Sequence, residues 1–279
     1  MKIARVFPTK TKFSPKGEDV YFGLPMWFMP QYDEIHISCV FTWDIQRAKQ
    51  LKIEWERYGK VKLGGPAFDD PGEDFVPGKY IKTGVTITSR GCPNNCSFCL
   101  VPKREGKLRE LPICEGNIVQ DNNLLACSDR HLDLVWSMLK KQKRIELKGG
   151  LEASRITLKI ANTLRGLRIK TLWLACDSKN GIKPLQKAVE VLQKAGFNRN
   201  HLFCYVLCGK DMAEEENRLR QVYSIGCLPF AQLYRDKKDS IKYSKKQKHF
   251  QRTWSRPAAF KSLIKNKYKC SPSAVKKHK

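Results

Sequence analysis

No run of about 18 apolar residues occurs in the chain, so a membrane-spanning helix is not expected. The opening stretch Met1–Pro8 has too short an apolar run for a secretion signal and reads as a first strand. Acidic side chains are few: 27 Asp and Glu stand against 53 Lys and Arg, a formal net charge of +26. Fifteen of those bases and only two of the acids lie between 236 and 279, so about half of the net charge falls there. A basic tail of that kind suits polyanions such as nucleic acid, or is simply solvated. The expectation is a cytoplasmic protein with no membrane partner and an open oligomeric state.

A second C-x2-C pair is also missing, and no histidine lies near the one that exists, Cys96 and Cys99. Structural zinc sites usually show paired units or added histidines, which makes zinc the weaker alternative here. Eleven cysteines, an odd number, point to a reducing compartment rather than to disulfides. A thiol-redox protein would need its C-x-x-C beside a thioredoxin-like βαβ unit, and that context is lacking. At 279 residues and 41% hydrophobic content, the chain can bury one substantial core with a small appended domain.

The most informative stretch is Thr88-Ser89-Arg90-Gly91-Cys92-Pro93-Asn94-Asn95-Cys96-Ser97-Phe98-Cys99. Its C-x3-C-x2-C spacing puts three thiols on one short loop, one fewer than a fully closed [4Fe-4S] centre uses, which leaves one iron open. This segment resembles the cluster loop of the radical S-adenosylmethionine enzymes, including the aromatic Phe98 before the third cysteine. The resemblance implies that Cys92, Cys96 and Cys99 hold a [4Fe-4S] cluster and that S-adenosylmethionine occupies the open iron. One electron from a flavodoxin- or ferredoxin-like reductant would then cleave the sulfonium to a 5'-deoxyadenosyl radical, which removes hydrogen from a substrate. Catalytic protein residues are not identifiable, because the cofactor does the difficult chemistry.

Residues 1–75 read as strand, helix and strand: a β-rich stretch at 32–42, a helix over Asp44–Tyr58, and Lys60–Leu63 before Gly64-Gly65-Pro66. This pattern is similar to a shortened form of the Rossmann-like domain of the cobalamin-dependent subset. The Asp-x-His-x-x-Gly loop of that subset is absent and His36 lies inside a strand, so cobalamin is not expected. Residues 68–79 read as a linker, broken by Pro and Gly. From 76 to 236 six βα units are expected, with strands at Ile81–Thr88, Ile118–Gln120, Arg144–Lys148, Thr171–Cys176, His201–Cys208 and Leu228–Tyr234. Helices are expected over 129–143, Ser154–Leu164, Pro184–Ala195 and Ala213–Tyr223. The expected fold is α/β: a partial (βα)6 TIM-type barrel, as in the resembled family, with the small Rossmann-like unit before it and a basic, partly flexible tail over 237–279.

Barrels of this type gather function at the carboxyl ends of their strands. That rule nominates Asp121, Asn122 and Asn123, then Gly149, Gly150 and Glu152, then Asp177 and Ser178, then Gly209, and finally Gln232 and Arg235. By resemblance, Phe98, Asp121, Asn122, Asp177, Ser178 and Gly209 would contact S-adenosylmethionine. The family's usual Gly-Gly-Glu follows the second strand, whereas here Asp-Asn-Asn stands there and Gly-Gly follows the third.

The run Cys96–Arg109, with Val101-Pro102 and Gly106, is similar to the methylthiotransferase cluster loop. Those enzymes hold a second cluster through three cysteines of the amino-terminal domain. This chain offers only Cys39 there, which disfavours methylthiolation. Cys204 and Cys208 would lie about 13 Å apart along a strand, too far to share an iron. The remaining cysteines read as small buried hydrophobes. In the tail, Trp254 and Phe250 are expected to pack, and the stretch beyond Lys261 to be solvated or to face a polyanion. The competing function is a non-enzymatic iron-sulfur or zinc protein that binds nucleic acid through the tail, with strongly salt-dependent affinity.

Overall fold

The computed structural model describes residues 1–70, 75–236 and 240–269. The linker expected at 68–79 therefore lies partly outside the described residues, as do Cys270 and 237–239. Four short strands, β1 (Ile3–Phe7), β2 (Val20–Phe22), β3 (Glu34–Ser38) and β4 (Lys60–Gly64), form a parallel sheet in the order β2-β1-β3-β4. Strand periodicity buries Ala4 and Val6 on β1 with Ile35 and Ile37 on β3. Helix α1 (Ile45–Trp55) covers that face with Ala48, Leu51 and Trp55, which recur at helical spacing. Prolines 8, 15, 25 and 30 break the other two connections, which carry no helix.

The second sheet has six parallel strands. Here β5 (Val85–Thr86) leads to β6 (Ser89–Arg90), then α2 (Val101–Arg104), β7 (Arg109–Glu110), β8 (Ile118–Val119) and α3 (Asp129–Lys140). Next come β9 (Ile145–Leu151), α4 (Leu158–Arg165), β10 (Ile169–Ala175), α5 (Ile182–Lys194), β11 (Leu202–Cys208), α6 (Met212–Ile225) and β12 (Leu228–Leu233). The sheet order β5-β8-β9-β10-β11-β12 follows the sequence. Right-handed crossovers that always advance in one direction stack their helices side by side on one face. Accordingly α4 packs on α5 and α5 on α6. Ser128, Thr157 and Asp211 cap α3, α4 and α6 by accepting first-turn backbone N–H groups.

Several boundaries differ from expectation, three of them beside the cysteine loop and Glu152. The strand expected over Ile81–Thr88 keeps only Val85–Thr86 in the sheet, because the Thr88 N–H donates to Asp121 Oδ1 and the chain turns away. Strand β9 runs through Gly149 and Gly150 to Leu151 rather than stopping before them. The helix expected from Ser154 begins at Leu158, where Thr157 supplies the cap.

The carboxyl-terminal segment is part of the core. Helices α7 (Lys245–Trp254) and α8 (Pro257–Lys269) follow β12. Trp254 and Phe260 are buried and stacked at 5.6 Å. Phe250, Leu263 and Ile264 pack around them, so Leu263 and Ile264 depart from the solvated stretch expected beyond Lys261. Gln251 Nε2 and Ser255 Oγ donate to the Ala231 carbonyl, which covers the edge strand β12. Among the described residues no helix is long and apolar enough to cross a membrane.

Candidate functional site

The cysteine loop leaves β6 and returns to β7, and these two short strands pinch it shut: Ser89 pairs with Glu110 and Arg90 with Arg109. Gly91 opens the loop with φ +78°, and a side chain there would strike the Lys107 carbonyl, so the turn requires glycine. The Cys99 N–H donates to the Cys96 carbonyl at 3.0 Å. Cys96 is exposed, while Cys92 and Cys99 are half-buried beside it in the chain.

Three consecutive residues after β8 grip this loop. Asp121, only 2% exposed, accepts Thr88 N–H at 2.7 Å on Oδ1, and both Thr88 Oγ1 and Ser89 Oγ on Oδ2. Asn122 Oδ1 accepts the Gly91 N–H at 3.0 Å. Asn123 Nδ2 donates to Glu152 Oε2 at 2.7 Å and to Cys92 Sγ at 3.5 Å. Burial pushes Asp121 above the ordinary carboxylate range, against the pull of its Thr88 and Ser89 donors.

Glu152, just past β9, ties the loop from the other side. Its Oε2 also accepts Asn94 Nδ2 at 3.0 Å and Arg155 Nε at 2.9 Å, and its Oε1 accepts Ser154 Oγ at 2.7 Å. Burial alone would raise this carboxyl, but the donors Asn123, Ser154, Arg155 and Asn94 hold it down to about 2. Gly149 makes room for the arrangement, because a Cβ there would overlap the Asp121 carbonyl.

Of the other nominated residues, Asp177 at the end of β10 accepts the Leu207 N–H at 2.9 Å and is raised by burial. Ser178 beside it is exposed, and Phe98 is half-buried in the loop. The Gly209 N–H donates to Glu215 Oε1, and the Tyr243 side chain stands against its Cα. Asp121 and Asn122, expected at the cofactor, hydrogen-bond to the base of the cysteine loop. Sequence reasoning missed Asn94, Thr88 and Ser89 as partners in this bracing. The one available signal was an Asn-Asn pair inside the loop matching another after β8.

The three thiols can be weighed against the cluster that the resemblance implies. Burial raises Cys96 and Cys99, and neighbouring thiols and the Asp177 carboxylate add to it. A coordinating metal reverses that balance by deprotonating its thiols outright. Among the described residues no three His, Cys, Asp or Glu side chains converge on the point that a single ion needs. In a polynuclear cluster each sulfur binds its own iron, so its ligands ring a common volume rather than converge on one point.

Elsewhere both ring nitrogens of His36 are engaged, with Glu34 Oε2 and the Tyr80 hydroxyl. Cys39, Cys127, Cys176, Cys204, Cys208 and Cys227 are buried, and Cys114 is half-buried. Several contacts join the first unit to the second sheet and its loops, two of them near the cysteine loop and the end of β12. Arg104, in the helix that follows Cys99, lies 3.7 Å from Asp69 after β4, and the Arg235 guanidinium lies 4.4 Å from the Trp43 ring centre. Neither a protein-family model nor a curated protein matches this sequence.

Proposed function

We propose that this chain is a radical S-adenosylmethionine enzyme, with Cys92, Cys96 and Cys99 holding a [4Fe-4S] cluster on a partial (βα)6 TIM-type barrel that follows a shortened Rossmann-like unit. The supporting observation is that the entry to a three-thiol loop, from Thr88 to Asn94, is held by the residues that end two neighbouring strands. A cluster held by Cys92, Cys96 and Cys99 would supply one electron, drawn from an external flavodoxin- or ferredoxin-like reductant, for reductive cleavage of S-adenosylmethionine and so for hydrogen abstraction from the substrate. The protein supplies position and dryness. Asp121 and Asn122 hold the backbone on both sides of Arg90, and Asn123 and Glu152 hold the two ends of the Cys92–Asn94 turn. Asp177 and Ser178, at the carboxyl end of β10, are the groups proposed to meet S-adenosylmethionine, with Phe98 beside the thiols and Gly209 supporting the turn after β11.

Anaerobic reconstitution should give about four irons per chain and reductive cleavage of S-adenosylmethionine. The Cys96→Ala variant should lose that cleavage. Unchanged cleavage in the variant, or oxygen-free wild-type protein without an iron-sulfur chromophore, would overturn the assignment.

A further inference from the structure

We infer that Asn123 and Glu152 set, with opposite signs, the reduction potential of the cluster proposed on Cys92, Cys96 and Cys99. The Asn123 amide favours the reduced state by donating to the Cys92 sulfur, and the Glu152 carboxylate opposes it. The inference rests on the preceding proposal for the presence of the cluster and adds to it the control of electron entry. Reduction brings in one electron from the flavodoxin- or ferredoxin-like donor and one negative charge, with no bond formed or broken. Hydrogen bonds to the sulfurs and nearby charges are the protein's means of shifting that equilibrium.

The neighbours of Asn123 fix which end of its amide faces the sulfur. Its Nδ2 donates to Glu152 Oε2 at 2.7 Å and to Cys92 Sγ at 3.5 Å, one hydrogen for each. The reversed amide would set its oxygen against an ionised carboxylate. Glu152 Oε2 already lies 2.9 Å from Arg155 Nε, and against the push of burial the Asn123, Ser154, Arg155 and Asn94 donors hold this carboxyl down to about 2. Asn123 is 3% exposed, and its Oδ1 has no hydrogen-bond partner among the described residues. A buried acceptor left unpaired is a cost, so what the fold gains from asparagine at this position lies at its donor end.

Bracing alone does not call for a donor aimed at sulfur. The loop entry is held without it, through Asp121 to Thr88 and Ser89, Asn122 to Gly91, and Glu152 to Asn94. An N–H directed at a thiolate sulfur offsets the charge that reduction adds there, and so raises the potential. Glu152 acts the other way. A single amide nitrogen separates its carboxylate from the Cys92 sulfur, inside the screening length of about 8 Å at physiological ionic strength. Negative charge at that range disfavours an added electron, and the Arg155 guanidinium moderates it. A purely mechanical brace would behave differently. Loosened at either residue, it would open the cluster to solvent and move the potential the same way in both cases.

The test is an anaerobic potentiometric titration of the reconstituted wild type, Asn123→Leu and Glu152→Gln, followed by electron paramagnetic resonance without S-adenosylmethionine. Asn123→Leu removes the donor at similar volume. It should lower the equilibrium constant for reduction about tenfold, a shift of about 59 mV to more negative potential. Glu152→Gln keeps an acceptor for the Asn94 and Asn123 amides while removing the charge, and should move the potential in the positive direction. Iron content and circular dichroism establish that each chain is loaded and folded, and Asn123→Ala takes the place of Asn123→Leu if the larger side chain is not accommodated. A wild-type potential in either variant, or shifts of the same sign in both, would overturn the inference and leave the enzyme reading in place. Opposed shifts in a protein that does not cleave S-adenosylmethionine would keep the tuning and remove the enzyme reading. Oxygen-free wild type without an iron-sulfur chromophore would overturn both.

Discussion

The Asn123 amide donates to Glu152 at 2.7 Å while reaching Cys92 Sγ at 3.5 Å, so one side chain links the end of β8, the end of β9 and the first cysteine. Glu152 gathers the other donors, which makes it the pivot. In Glu152→Ala, Asn94, Asn123 and Arg155 lose their shared acceptor, at an expected cost of about 2 kcal/mol. The wild-type carboxyl is held at about 2, below its ordinary 4.5. Its contribution is therefore fully present above pH of about 4.5 and is lost as pH falls toward about 2. Urea midpoints of the two proteins across that window should converge at the acid end. A constant gap would show that the charge of Glu152 is not what matters.

Asp121 should behave with the opposite sign. Burial raises its pKa, so the fold favours the protonated form and loses stability as pH rises above the ordinary carboxylate range. Asp121→Asn keeps an acceptor for the Thr88 N–H and lets the Thr88 and Ser89 hydroxyls turn to accept, so it should remove that pH slope at a cost of about 1 kcal/mol. Asp121→Ala leaves a buried N–H and two hydroxyls unpaired and should cost roughly 3 kcal/mol. It should also speed iodoacetamide labelling of Cys92 and Cys99. Labelling rates unchanged in Asp121→Ala would mean that the carboxylate does not hold the loop.

The strand and helix order was legible where side-chain period was long enough to read. Strand β11 alternates buried and half-buried residues over seven positions, Leu202–Cys208, and α5 carries Leu185, Ala188, Val189 and Leu192 on one face. Strands β5 and β8 have two residues each, and no period exists in two residues. Their expected extents were correspondingly loose. The Asp-Asn-Asn run was found by the rule that function gathers at strand ends, but its partners are 29 to 33 residues away in the chain and spacing gives no sign of them. The tail misled only in part. Phe250 and Trp254, four apart on α7, pack as expected, whereas the charge beyond Lys261 drew attention to solvent although Leu263 and Ile264 pack against the core.

Gly149→Ala tests whether β9 must pass this close to the Asp121 backbone. The added methyl would overlap the Asp121 carbonyl, and neither strand can yield without moving the Asp-Asn-Asn run off the cysteine loop. A destabilisation of about 3 kcal/mol or more is expected. Gly166→Ala is the control, since its φ is −70° and the nearest atom lies at 3.4 Å. It should change stability by less than about 1 kcal/mol. Similar urea midpoints for the two variants would show that the close approach at Gly149 is easily relieved.

Trp254 decides whether the basic segment is an appendage or part of the fold. It is 1% exposed, stacks on Phe260, and has the Arg220 guanidinium 5.5 Å from its ring centre. Removing the indole opens a cavity between α7, α8 and the sheet, and Trp254→Ala should cost roughly 3 to 5 kcal/mol. Truncation before Lys245 should do more. It strips the Gln251 and Ser255 donors from the Ala231 carbonyl and leaves β12 as an open edge, so the shortened chain should associate as well as lose stability. Arg252→Gln, on the exposed face of α7, removes a charge without touching the stripe and should leave the urea midpoint unchanged. If the truncated chain keeps the parent's oligomeric state and midpoint, the segment contributes charge alone. The packing of Trp254 against Phe260 argues for the other outcome, since a tail that served only as a polyanion tether would gain nothing from burying its largest side chains.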